Sequence, residues 1–143
     1  MVYLDTSFLV PLVLPDDMST SVERFVHTLS PGSLIVSQWS RVEFASLLGY
    51  LIRAKELNSR HSSKAMKIFE QILDDSCQVI SPNIMDLKLA TEILQEYYDG
   101  LNASEALHLA VARNNNAELF LTLNESLIKA AKSYKLPTSW WGR

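Results

Sequence analysis

Val2-Tyr3-Leu4-Asp5-Thr6-Ser7, residues 2–7, is a three-residue β-forming run that stops at an acid and two hydroxyls. The same pattern returns three times: Leu34-Ile35-Val36 before Ser37, Gln78-Val79-Ile80 before Ser81, and Leu119-Phe120-Leu121 before Thr122. Each run is short, rich in aliphatic or aromatic residues, and closed by a small polar side chain, as buried strands are. Thr138-Ser139-Trp140-Trp141 reads as a short last strand. Between the runs the apolar period becomes helical. Val42, Ala45, Leu48 and Ile52 share one stripe, and Ala65, Ile68, Phe69, Ile72 and Leu73 a second. Ile84, Leu87, Ala90, Ile93, Leu94 and Tyr97 form a third, and Leu107, Ala110 and Val111 a fourth. Strands alternating with helices require crossover connections. The expected fold is therefore α/β: a mainly parallel sheet of four to five strands with helices on both faces. Ligands of such sheets bind beyond the carboxyl ends of the strands, so chemistry is sought there.

The chain is 143 residues long, the size of one domain, and it offers no repeat or low-complexity tract at which to divide it; residues 1–143 are read as one domain. Cys77 is the sole cysteine, which excludes an intrachain disulfide and a cysteine-rich zinc site. The apolar start has no basic region before it and is interrupted by Asp5, Pro11 and Pro15, so neither a signal peptide nor a membrane span fits, and a cytoplasmic protein is expected. A net charge of −3 argues against a protein that coats nucleic acid. The bases are nevertheless clustered: Arg41, Arg53, Lys55, Arg60, Lys64 and Lys67 stand against only Glu43 and Glu56 in that interval. Such a stretch is either a solvated helical face or a surface for RNA, with Arg41, Arg53, Arg60 and Lys64 as the contacts.

Four polar residues satisfy the strand-end rule. Asp5 ends the first strand, and Glu43 lies just inside the helix after the second. Glu105 opens the helix Asn102-Ala103-Ser104-Glu105-Ala106-Leu107-His108, and Asn124 follows the strand Leu119-Phe120-Leu121. Each also has an ordinary structural use. Ser40 with Glu43, and Asn102 with Glu105, have capping-box spacing, while Asp5 and Asn124 suit helix N-caps.

The order of these segments resembles that of the PIN-domain family, in particular the VapC-type toxins. A strand ending Asp5-Thr6-Ser7 is followed by Val42-Glu43-Phe44-Ala45, then by Ala106-Leu107-His108-Leu109-Ala110 with an acid just ahead of it, then by Phe120-Leu121-Thr122. The resemblance covers nearly the whole chain and implies a single PIN-like domain in which four acids bind Mg²⁺ or Mn²⁺ and hydrolyse RNA. By position the four catalytic places fall on Asp5, Glu43, Glu105 and Asn124. Thr6, Ser7 and Thr122 take the supporting hydroxyl places. Two positions depart from the family pattern: Glu105 stands for Asp and keeps the charge on a longer arm, while Asn124 stands for Asp and loses it. The resulting expectation is one metal held by Asp5 and Glu105 with Glu43 nearby, and reduced activity. The resemblance also implies a homodimer restrained by a cognate VapB-like antitoxin. The apolar stretch Leu47, Leu48, Tyr50, Leu51 and Ile52 suits a helix buried on two sides.

Two other readings remain open. One is a silent PIN-like domain that binds RNA or protein. The other is a phosphatase with Asp5 as nucleophile, disfavoured because Ser7 stands where its second acid belongs. Among the histidines, His108 is expected to pack or hydrogen-bond within the fold.

Overall fold

The computed structural model describes residues 1–97 and 100–138. Four parallel strands form one sheet in the order β3-β2-β1-β4: β1 (Val2–Leu4), β2 (Leu34–Ser37), β3 (Cys77–Ile80) and β4 (Leu119–Leu121). The central strand β1 pairs Tyr3 with Ile35 on one side and with Phe120 on the other. Period-two alternation divides the strand residues between two cores. Tyr3, Ile35 and Phe120 point into one, and Leu4, Leu34, Val36 and Leu121 into the other.

The first core is covered by α5 (Ile84–Glu96), α6 (Ala103–Asn114) and α7 (Glu125–Ser133). The second is covered by α1 (Thr6–Leu9) with the 3₁₀ turn Val10–Leu12, α2 (Ser19–Val26), α3 (Trp39–Arg53) and α4 (Ser59–Ser76). Helix α6 is buried on all sides, from Ala106 through Ala112. Tyr3 stacks on Phe120 at 5.4 Å between ring centres, and Phe44 of α3 stacks on Phe69 of α4 at 4.2 Å. Cys77 packs beside the second core, and burial pushes its thiol pKa up to about 11, so it serves as a small hydrophobe.

Helix α5 begins with a reciprocal cap in which Asn83 Oδ1 accepts from Met85 N and Asp86 N while Asp86 Oδ2 accepts from Asn83 N. Asp86 is wholly buried, and Asn114 Nδ2 donates to its Oδ1 at 2.7 Å. Asn83→Ala is expected to cost about 1 kcal/mol, read as a fall of about 3–5 °C in Tm. An unchanged Tm would mean that the Asn114 contact alone suffices.

Two of the apolar stripes face differently from expectation. Helix α3 buries Ser40, Phe44 and Leu48, whereas Val42 is 53% exposed and Ala45 and Ile52 also face solvent. The helix is apolar on several sides, and the stacking of Phe44 on Phe69 decides which side turns inward. In α5, Ala90 and Ile93 are buried while Ile84 and Leu87 point outward, because the first inward position is taken by the capping Asp86. The expected last strand and the Trp140-Trp141 pair lie outside the described residues, apart from Thr138.

Candidate active site

Asp5 is placed by β1. Its backbone N–H donates to Leu121 O of β4 at 2.9 Å, and its extended backbone (φ −71°, ψ 155°) turns the chain into α1. No helix amide bonds its side chain, which is free for other work. Oδ2 accepts from Ser7 Oγ at 2.6 Å and from Thr122 Oγ1 at 2.7 Å. These hydroxyls are themselves oriented, because Leu123 N donates to Ser7 Oγ and Asn124 N donates to Thr122 Oγ1. Two of the three supporting hydroxyls of the sequence reading, Ser7 and Thr122, thus touch this carboxylate.

Glu43 sits one turn into α3. Thr6 Oγ1 lies 2.6 Å from its Oε1 and 2.9 Å from Ser40 Oγ, and its single proton serves one acceptor at a time. The expected Ser40–Glu43 capping box is not formed. Gln38 is the N-cap residue, Ser37 Oγ accepts from Trp39 N, and Ser40 is buried against Thr6. Trp39 Nε1 donates to Ser104 Oγ at 2.9 Å, pinning the start of α3 to the start of α6 and so bringing Glu43 and Glu105 to one place.

His108 enters this group from α6, 1% exposed. Its Nδ1 lies 2.7 Å from Tyr3 Oη, and its Nε2 is hydrogen-bonded to Glu43 Oε1 and lies 3.5 Å from Asp5 Oδ1. The hydrogen bonding expected of this residue is present, but its partners are the site's own acids. A histidine inside the otherwise apolar Ala106–Ala112 stretch was the available signal, since a buried imidazole must find partners.

Burial by itself would lower the His108 pKa. The Glu43 hydrogen bond and the charges of Asp5, Glu43 and Glu105 outweigh it and raise the value above the ordinary one. Burial would raise Glu43, but the bond and charge of His108 together with Thr6 hold it below the usual carboxylate range. The two effects set opposite edges to stability. The His108 contribution is complete below the unfolded imidazole value of about 6.5 and is lost as pH rises through the higher folded value. The Glu43 contribution is complete above about 4.3 and is lost as pH falls through the lower folded value. Metal-free protein is therefore expected to be most stable between these limits. A Tm profile in EDTA tests this: the alkaline decline should shrink in Glu43→Gln, and an unchanged decline there would assign it to another group.

Glu105 forms its expected capping box, with Asn102 Oδ1 accepting from Glu105 N and Glu105 Oε2 accepting from Asn102 N, both at 2.9 Å. Its other oxygen, Oε1, accepts from Asn124 Nδ2 at 2.6 Å. Asn124 caps α7 through Oδ1, which accepts from Ser126 N and Leu127 N. Its oxygen is therefore used by the helix, and its NH₂ faces the acids. Asp5, Glu43, Glu105 and Asn124 together line a cavity of about 420 Å³ at the carboxyl ends of the strands, with Thr6, Ser7 and Asn102 between them.

The donor set fits a divalent cation. Asp5, Glu43 and His108 each offer one ligand atom, and these atoms lie within 4.8 Å of one another. Two carboxylates with an imidazole suit Mn²⁺, and the carboxylate oxygens suit Mg²⁺. Glu105 adds a third carboxylate to the same cavity.

The basic residues divide. Arg41 is engaged within the fold, its Nε donating to both oxygens of Glu70 at 2.9 Å and its Nη2 lying 3.6 Å from Asp74. Arg53, Arg60 and Lys64 are exposed, and no acid pairs with them among the described residues. Because Arg41 at the start of α3 sits opposite Glu70 and Asp74 late in α4, the two helices run antiparallel. Arg60 lies ten residues ahead of Glu70 on α4, roughly 15 Å further along it. There Arg60, His61, Lys64 and Lys67 line a surface hollow.

The family model described as PIN domain matches residues 2–133. Among solved structures, the chain is similar to VapC20 of Mycobacterium tuberculosis, a sarcin-ricin-loop-cleaving toxin, with TM-score 0.73 and 19% identity over 91% of this chain and 95% of that one. It is also similar to FitAcB of Neisseria gonorrhoeae, with TM-score 0.71 and 15% identity over 100% of both chains. VapBC2 of Rickettsia felis, bound to a DNA fragment from its promoter, gives TM-score 0.65 and 18% identity over 97% and 98%. At these identities the likeness is one of fold. No curated protein matches the chain.

Proposed function

Because the chain belongs to the PIN-domain family, we propose that it is a VapC-like, Mg²⁺- or Mn²⁺-dependent endoribonuclease held in check by an antitoxin. The observation that carries this reading is the convergence of Asp5, Glu43 and Glu105 on one cavity, each oriented by dedicated donors. Carboxylates alone would repel an RNA phosphate. Asp5 and Glu43 would hold the cation, Glu105 would face it across the cavity, and Asn124 would complete the catalytic wall. A bound ion would neutralise charge growing on the phosphate and lower the pKa of the attacking water.

The protein's own part is to keep the ligand oxygens in place. Ser7 and Thr122 occupy one face of the Asp5 carboxylate and leave Oδ1 turned toward Glu43 and His108. Thr6 and His108 hold Glu43 ionised and aimed. Asn102 and Asn124 fix Glu105. Arg53, Arg60 and Lys64 would track the RNA backbone through its phosphates, which positions a substrate without reading its sequence. Arg41, tied to Glu70 and Asp74, contributes to the α3–α4 hairpin first.

The partner is an antitoxin by analogy with the toxin–antitoxin complexes among the similar structures. A homodimer is supported by the outward apolar residues Val42, Tyr50 and Ile52 of α3. No helix among the described residues is long and apolar enough to cross a membrane; we place the protein in the cytoplasm. The amide of Asn124 in place of an acid favours weakened activity, with a silent RNA- or protein-binding domain as the second reading.

Purified protein incubated with Mn²⁺ and, in parallel, single-stranded RNA, single-stranded DNA and p-nitrophenyl phosphate tests the substrate class. Cleavage of RNA alone supports the proposal; hydrolysis of the small ester with RNA intact would replace it by a phosphatase.

A further inference from the structure

We propose that Asn124 stands in for a second cation, so that the acidic cavity binds one divalent ion per chain. This rests on the metal-dependent reading above and narrows it.

The orientation of the Asn124 amide is determined by its surroundings. Oδ1 receives two backbone N–H groups of α7, from Ser126 at 2.9 Å and Leu127 at 3.3 Å, so the NH₂ must point the other way. It points at Glu105 Oε1, 2.6 Å away. Turning the amide over would set its NH₂ against those two donors and its oxygen against a carboxylate, which costs all three contacts. An NH₂ group cannot ligate a cation, and the oxygen that could is spent on the helix. The other Glu105 oxygen already accepts from Asn102 N. A charge that would call for an ion between positions 105 and 124 is thus met by hydrogen-bond donors fixed in the fold. The acids on the opposite side of the cavity have a different balance. Asp5 and Glu43 share one partly compensating group, His108, and keep ligand atoms within 4.8 Å of it and of each other. That is the side left for the ion.

Aspartate at 124 would change this without losing the cap, since Asp and Asn cap helices about equally well. A carboxylate oxygen would then face Glu105 at hydrogen-bond distance with no proton between them, and a second ion would relieve the repulsion.

The experiment counts ions on the full-length protein by titration with Mn²⁺, following free Mn²⁺ by electron paramagnetic resonance and bound ions by native mass spectrometry. Wild type is expected to bind one Mn²⁺. Asn124→Asp is expected to bind two, with second-ion affinity at least tenfold above any seen in wild type. Its Tm in EDTA should be lower than wild type and should rise more on adding Mn²⁺. Adding Glu105→Gln to that variant should return the count to one. Two ions on wild type, or one on a folded Asn124→Asp, overturns the proposal and leaves the nuclease reading standing. Wild type with no bound ion overturns both.

Discussion

Asp5→Asn is expected to lower metal-dependent RNA cleavage by about 10²–10³-fold while the protein stays folded. Asparagine has nearly the same shape, and its oxygen can still accept from Ser7 and Thr122 at the place of Oδ2. What disappears is the charge, and with it the oxygen turned toward Glu43 and His108. Asp5 is only 5% exposed and lies between a second carboxylate and His108, so losing its charge relieves one repulsion and removes one attraction in metal-free protein. The Tm in EDTA should therefore change little, whereas stabilisation by Mn²⁺ should shrink. Cleavage that survives the substitution would move the essential ligand to Glu43 and Glu105.

His108→Ala should have the largest effect on stability, a loss of about 3–5 kcal/mol, which corresponds to a fall in Tm of roughly 10 °C or more. The change takes one of its partners from the Tyr3 hydroxyl, which keeps Ser37, removes the donor to Glu43 and opens a cavity beside β1. His108→Gln keeps a donor near the position of Nε2 and should lose about half as much. Thermal melts of both variants in EDTA separate the two parts of the effect. Equal losses would show that neither the refilled space nor a donor near Nε2 stabilises the fold, and would assign the effect to the imidazole itself.

The strands were readable because each is short, apolar and closed by a polar residue at the sheet's carboxyl edge. Their alternation is visible directly, Tyr3 going to one core and Leu4 to the other. The faces of α3 and α5 were not readable from spacing. Helix α3 carries two nearly equivalent apolar stripes, and only the partner ring of Phe69, distant in sequence, selects the one that contains Phe44. In α5 a charged residue, Asp86, occupies a buried position because its cap and Asn114 satisfy it. Local periodicity cannot anticipate that. For the site, position in the fold was legible and orientation was not. Asp5, Glu43, Glu105 and Asn124 were found from their places at strand ends, and one cavity contains all four. That Asn124 turns its NH₂ to Glu105, and that His108 reaches from a buried helix to Glu43, depends on contacts 19 and 65 residues apart in the chain. The tie between Trp39 and Ser104 is of the same kind.

Cleavage of total cellular RNA by purified protein, freed of any partner by unfolding and refolding, tests the central claim most directly. With Mn²⁺ or Mg²⁺ the protein should yield discrete fragments that disappear on adding EDTA and are absent with Asp5→Asn. Intact RNA after incubation with folded, metal-supplied protein would contradict the enzyme and leave a PIN domain that binds without cutting.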